Sequence, residues 1–148
     1  MTIDENLRTL MRDFYRVVDA EAFEDLGEFL EFPFEIAVKG KVLELHNISD
    51  AAGAFFAAAR VHKSRGIARV THKVSLVHAT SLTEALIGVD EVAFDSRNRK
   101  LISWRSSFLL RRLNGIWRLS RANATGYDLA WEAKGKEALR SAVTSSLC

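Results

Sequence analysis

"RRLNGIWRLSRANA", residues 111–124, decides the fold. Asn114-Gly115 at its centre is a signal for a two-residue type I′ hairpin, because both central residues of that turn must take positive φ. The flanks alternate apolar and polar as strands do. The turn then sets a register that pairs Leu113 with Ile116, Arg112 with Trp117, Leu110 with Leu119, Phe108 with Arg121, Ser106 with Asn123 and Trp104 with Thr125. Facing residues share a side of the sheet. One side holds Trp104, Phe108, Leu110, Trp117 and Leu119, with Ser106, Arg121 and Asn123 among them. The other holds Arg105, Ser107, Arg111, Arg118, Ala122 and Ala124. The first side is apolar and is expected to face the interior. There Trp104, Ser106, Phe108, Arg121 and Asn123 would line a ligand pocket, an apolar wall with a few convergent polar groups. The plainer alternative pairs Ser106 with Asn123 across the strands and lays Arg121 over Phe108 near an edge.

Upstream of this hairpin the same period of two recurs. "IARVTHKVSLVHA" (67–79), "EALIGVDEVAFD" (84–95) and "KLISWRSSFLLRRL" (100–113) lead into "IWRLSRANATGY" (116–127), which makes four long strands with short polar turns. Before residue 67 the period is helical. Asp4 is a cap candidate for a first helix, along which Leu7, Leu10, Met11, Phe14, Val17 and Val18 form one stripe. Asp19 is a cap candidate for a second helix with Phe23, Leu26 and Leu30, expected to stop before Pro33. "FEIAVKGKVLEL" (34–45) reads as two short strands around Lys39-Gly40. Ser49 or Asp50 caps a third helix that Gly66 closes. The tail, 128–148, reads as weakly helical with Trp131 as an anchor.

Helices followed by an antiparallel meander make an α+β pattern. Three N-terminal helices packed on a long curved antiparallel sheet would form a cone. This order of elements, with "DAEAFEDLGEFL" (19–30) and the ending "RRLNGIWRLSRANA", resembles the nuclear-transport-factor-2-like superfamily, with a cystatin-like fold, and especially its SnoaL-like branch. The resemblance spans residues 5–125 and implies a single domain over residues 1–127. It implies a cone that takes a small apolar or mixed-polarity ligand, with acid–base isomerase, dehydratase or cyclase chemistry. It also implies a second possibility, a non-catalytic homodimeric binding or assembly module joined through the outer face of the sheet. Fold alone does not choose between them. Laid without gaps on the ketosteroid isomerase pattern, the chain puts Phe14 at the tyrosine position, Val38 near the base position and Ser106 near the later acid. The three chemical groups of that enzyme are absent there.

Composition bounds the rest. The chain has 148 residues, 48% of them apolar, and a net charge of +2, which suits one globular domain. Acids dominate up to residue 35 and bases after it. The bases are scattered along strands and turns, so nucleic acid is not expected as a partner. No apolar run is long enough to span a bilayer. The charged N-terminus lacks the apolar centre of a signal peptide, which gives a cytoplasmic expectation. The one cysteine, Cys148, is terminal, so no internal disulfide forms. The histidines match no metal spacing, and neither a metal nor a cofactor is expected.

One strand carries chemistry. In "THKVSLVH" (71–78) strict alternation puts His72, Val74, Leu76 and His78 on one face. His72 and His78 are about 20 Å apart and share no ligand. The next strand carries the tandem Asp90-Glu91. If His72 lies opposite Glu91, the two are direct neighbours. If the register slips by one, Asp90 becomes the diagonal neighbour. Either way a carboxylate stands beside His72. The site expected from sequence is therefore His72 as acid or base, oriented by Asp90 or Glu91. The alternative is a buried, satisfied pair with a structural role.

Overall fold

A computed structural model describes residues 2–147, with side chains for residues 2–140; Cys148, considered above for a disulfide, lies outside the described residues. The order of elements is α1 (Ile3–Asp19), a short 3-10 helix (Phe23–Glu28), β1 (Leu30–Val38), β2 (Lys41–Leu45), α2 (Ile48–Ser64), β3 (Arg69–Ala79), β4 (Glu84–Phe94), β5 (Lys100–Leu113), β6 (Ile116–Asn123) and α3 (Thr125–Leu147). The strands form one sheet in the order β2-β1-β6-β5-β4-β3. The α+β reading holds: helices pack on one long sheet. The sheet is mixed rather than wholly antiparallel, because β1 runs parallel to β6.

Local chemistry explains most of the boundaries. Thr2, not Asp4, caps α1: its hydroxyl accepts from the Glu5 amide, and Glu5 returns a bond to the Thr2 amide, the reciprocal arrangement of a capping box. Asn47, two positions before Ser49, caps α2 by accepting from the Asp50 amide, in place of the expected Ser49 or Asp50. The expected second helix shrinks to the 3-10 turn, and Leu30 already belongs to β1. Pro33 lies inside that strand, where the pairing of β1 with β6 is interrupted between Leu30 and Glu35, so its missing donor breaks no ladder bond. Asn114 and Gly115 take φ of 53° and 78°, as the hairpin turn requires.

The main core lies between α1, α2, the 3-10 helix and the concave face of the sheet. Phe14 of α1 is its hub, making edge-on contacts with Tyr15, Phe29, Phe55 and Phe108. The apex of the cone is thus filled by the protein's own aromatic rings. A second cluster, Ile67, Ala93 and Ile102, lies at the opposite end of the concave face. Tyr127, Ala130 and Trp131 of α3 pack against it, so the first turns of the tail are part of the domain.

Two of the register shifts in the sheet, in β6 and β3, reset the faces of expected site residues. In β6, Leu119 pairs with Leu110 but Arg121 pairs with Leu109, which leaves Ser120 as an extra residue. In β3, Val74 pairs with Val89 but Leu76 pairs with Gly88, which leaves Ser75 extra. A one-residue slip turns every later side chain to the other face. Arg121 and Asn123 therefore point outward, and Ala122 points inward. Leu76 and His78 likewise leave the face that His72 occupies.

Candidate functional site

The concave faces of β3, β4 and β5 share a layered pattern with a period of two. Val74, Val89 and Phe108 belong to or pack on the main core, while Val70, Ala93 and Trp104 belong to or pack on the second cluster. Between these layers sit His72, Glu91 and Ser106. A polar belt thus crosses the cone between two apolar plugs.

His72 faces Glu91 directly in the ladder. Its Nδ1 lies 2.8 Å from Glu91 Oε1, and its Nε2 lies 2.9 Å from Asp19 Oδ1 at the end of α1. The Ser106 hydroxyl donates to Glu91 Oε2 at 2.5 Å, and Trp104 Nε1 donates to Ser106 Oγ at 3.2 Å. One chain of hydrogen bonds therefore runs Asp19–His72–Glu91–Ser106–Trp104, from α1 across three strands. The Tyr15 ring stacks on the imidazole, with centroids 3.9 Å apart and planes 13° from parallel.

Electrostatics assigns the charges. Burial disfavours the His72 cation, but hydrogen bonds to Asp19 and Glu91 outweigh it and raise its pKa to about 9. At neutral pH His72 is an imidazolium with both N–H groups donated. Glu91 is buried. Burial, and then the nearby Glu91 carboxylate, hold the Tyr15 phenol well above its ordinary pKa. His62, at the end of α2, is half-buried against Tyr127, with ring centroids 4.9 Å apart, and burial lowers its pKa.

The expected site residues separate into two groups. His72, Glu91, Ser106 and Trp104 come together. Asp90 does not join them: it sits on the outer face and bonds Arg105 at 2.9 Å. Parity decides this, since neighbours in a strand point to opposite sides. Phe108 is packed in the main core against Phe14 and Tyr15, and the groove it borders opens on the outer face. Arg121 and Asn123 leave the concave face through the Ser120 bulge. On the outer face Arg121 approaches Glu35 at 3.4 Å, and Asn123 accepts from the Thr125 amide at 3.0 Å. Phe14 is the hub of the core, and Ser106 is a donor to Glu91.

Four belt residues escaped the sequence reading. Asp19 is not a cap but a ligand of His72. Tyr15 lies four residues before it, and an i,i+4 spacing puts both on one helix face, a signal the sequence does contain. Tyr127 and His62 meet only because α3 folds back over β5. Gly126 makes this approach possible: a Cβ there would stand 2.6 Å from the Arg105 carbonyl oxygen. Trp104 and Tyr127 meet edge-on at 4.9 Å.

Three buried polar atoms near the belt have no hydrogen-bond partner among the described residues: the Tyr15 and Tyr127 hydroxyls and Trp131 Nε1. Two open grooves flank the structure. One, of about 370 Å³, lies on the outer face and includes Ala37, Leu86, Leu109, Arg121 and Asn123. The other, of about 420 Å³, runs between α1 and β3 past Tyr15 and His72. Among the described residues no helix is long and apolar enough to cross a membrane, and no group of three His, Cys, Asp or Glu side chains is arranged to hold a metal ion.

No protein-family model matches the chain, and no curated protein matches it in sequence. Solved structures do match in shape. A domain of unknown function with a cystatin-like fold from Nostoc punctiforme superposes with a TM-score of 0.69 at 14% identity, covering 99% of both chains. An NTF-2-like protein of unknown function from Shewanella oneidensis gives 0.63 at 8% identity, covering 82% of this chain and 98% of that one. A ketosteroid isomerase-like protein from Erwinia carotovora gives 0.58 at 11% identity, covering 78% of this chain and 89% of that one. Identities this low bear on fold alone. The helix-backed curved sheet, the strand order and these superpositions agree: the chain has the nuclear-transport-factor-2-like, cystatin-like fold.

Proposed function

We propose that the chain binds a small molecule of mixed polarity in the polar belt of the cone, as the SnoaL-like resemblance implies. The observation that carries this reading is the buried Tyr127 hydroxyl, which has no hydrogen-bond partner among the described residues and stands at the Trp104 end of the chain that holds Glu91. Tyr15 lies on His72, and Tyr127 lies on Trp104. A buried hydroxyl left unbonded costs free energy, and a bound molecule is one common remedy. Glu91 and Ser106 offer further polar contacts beside the Trp104 ring.

In this reading the roles expected from sequence are exchanged. His72, already protonated and fully donated, is the positioning cation that orients Glu91. Glu91 is the group that would accept a proton from a substrate. Isomerisation, dehydration or cyclisation would each begin with such a transfer.

The test is a thermal-shift screen of the full chain against a metabolite panel, run beside Tyr127→Phe and Glu91→Gln. A ligand at a hundred times its Kd stabilises by about 2.7 kcal/mol. A belt ligand shifts wild type and loses most of that shift in Tyr127→Phe, a change that removes only an unbonded hydroxyl. A ligand that shifts all three proteins equally sits elsewhere and defeats the reading.

A second reading, a homodimeric assembly module, is favoured by the outer face. Leu86, Leu113 and Ile116 are 44%, 49% and 52% exposed there. Several nearby charges are already paired within the chain: Asp90 with Arg105, Glu31 with Arg111 and Glu35 with Arg121. Sedimentation of wild type and Leu86→Asp at micromolar concentration decides it. A wild-type monomer removes the dimer.

A further inference from the structure

We propose that the groove between α1 and β3 is a second binding site, and that it takes a small amphipathic carboxylate. It is lined by Arg8, Met11, Arg12, Tyr15, Arg16, Asp19, His72 and Val74 and measures about 420 Å³, within the size range of ligand clefts.

Its two kinds of surface have different owners. Met11, Tyr15 and Val74 form the floor. Met11 and Tyr15 are buried, and Val74 packs against the main core. That floor suits a hydrocarbon or aryl body. The rim is a cationic row. Arg8, Arg12 and Arg16 recur every four residues, so they stand on one helix face about 6 Å apart. At the inner end the His72 imidazolium is already paired with Asp19 and Glu91, so the positive charge open to a ligand lies on the arginines.

The neighbouring carboxylates match these cations in number, but they engage them unequally. Arg8 Nε is bonded to Asp4 at 2.7 Å. Arg12 and Arg16 share a single carboxylate, Asp13, at 3.7 and 3.6 Å, beyond hydrogen-bond length. Their guanidinium side chains are 65% and 71% exposed and keep free donors for a planar carboxylate. Asp19 is committed to His72. The local geometry therefore combines an apolar trough with two adjacent, largely exposed guanidinium forks that share one carboxylate. The groove shares Tyr15, Asp19 and His72 with the belt, but Arg12 and Arg16 lie outside it, so the variants touch no belt residue.

The experiment titrates the full chain with decanoate by two-dimensional NMR. Decylammonium has the same apolar length with opposite charge, and acetate has the charge without the body; both serve as comparisons. Arg12→Ser/Arg16→Ser changes only exposed side chains, and its fold is checked by far-ultraviolet circular dichroism. Decanoate is expected to move amide signals of residues 8–16 and 72–74, with acetate and decylammonium much weaker. The double variant should bind decanoate about tenfold more weakly. The proposal is overturned if decanoate moves no signals in the groove, if decylammonium binds as well, or if the double variant binds unchanged.

Discussion

His72 and Glu91 stand opposite each other on neighbouring strands, with Nδ1 and Oε1 2.8 Å apart, and the other imidazole nitrogen is held by Asp19 from a helix 53 residues earlier in the chain. A histidine clamped between two carboxylates is a cation first and a base second. The contact ties the end of α1 to the middle of the sheet, and most of what distinguishes this cone from a plain apolar one follows from it.

The first prediction concerns pH. The His72 pKa is about 9 when folded, above the ordinary 6.5. A raised folded pKa stabilises fully below the unfolded value, and that stability is lost as pH rises through the folded value. The gain should therefore be complete below about pH 6.5, decline through about pH 9 and be gone above it. Its ceiling is about 3 kcal/mol, at 1.36 kcal/mol for each pKa unit. Urea unfolding of wild type and His72→Gln at pH 6 and pH 10 checks it. The difference between the two proteins should shrink at the higher pH.

Asp19→Asn should lower the His72 pKa without unfolding the chain, because Asp19 is half-exposed while Glu91 is buried. Glu91→Gln removes the buried partner and should cost more, about 3–5 kcal/mol for a broken buried pair. Imidazole proton shifts followed through a pH titration report the first effect, and chemical denaturation the second.

Phe14→Ala should cost about 3–5 kcal/mol, the usual range for deleting a buried aromatic. The ring touches four others from α1, β1's approach, α2 and β5, and none can move to fill the void alone. Thermal unfolding should register a drop of this order, with the stacking of Tyr15 on His72 loosened as well.

Gly126→Ala should undock α3, since the added methyl meets the Arg105 backbone rather than a mobile side chain. The expected cost is about 1–3 kcal/mol, confined to the docking of that helix. Hydrogen exchange of the amides at 125–135 should accelerate while those of β4 and β5 hold. Equal exchange in both proteins would mean that the helix does not depend on this close approach.

Arg121→Ala should change stability by no more than about 0.5 kcal/mol, since its outer-face ion pair with Glu35 is exposed. A belt ligand should bind it as it binds wild type. Had the unbulged register held, the same change would have removed a group from the cone. Denaturant midpoints together with ligand-induced shifts separate the two registers.

The sequence by itself determined the periods and the order of elements. Helical spacing before residue 67 and alternation after it give an α+β chain, and Asn114-Gly115 sets the hairpin because only a few residues tolerate positive φ there. It also determined that a carboxylate lies beside His72, because the Asp90-Glu91 tandem covers both parities. What it did not determine is which carboxylate. Strand faces are read modulo two, and one extra residue reverses them. Nothing in the side chains of Ser75 or Ser120 marks a bulge locally; burial of Val77 and Ala122 on the concave face, against the whole set of helices, selects it. The same holds for Asp19, Tyr15, His62 and Tyr127. Each lies on a helix whose apolar stripe is visible in the sequence, or on a tail that reads as weakly helical. Their meeting depends on how α1, α2 and α3 dock on the sheet, and docking is a property of packed surfaces rather than of local pattern.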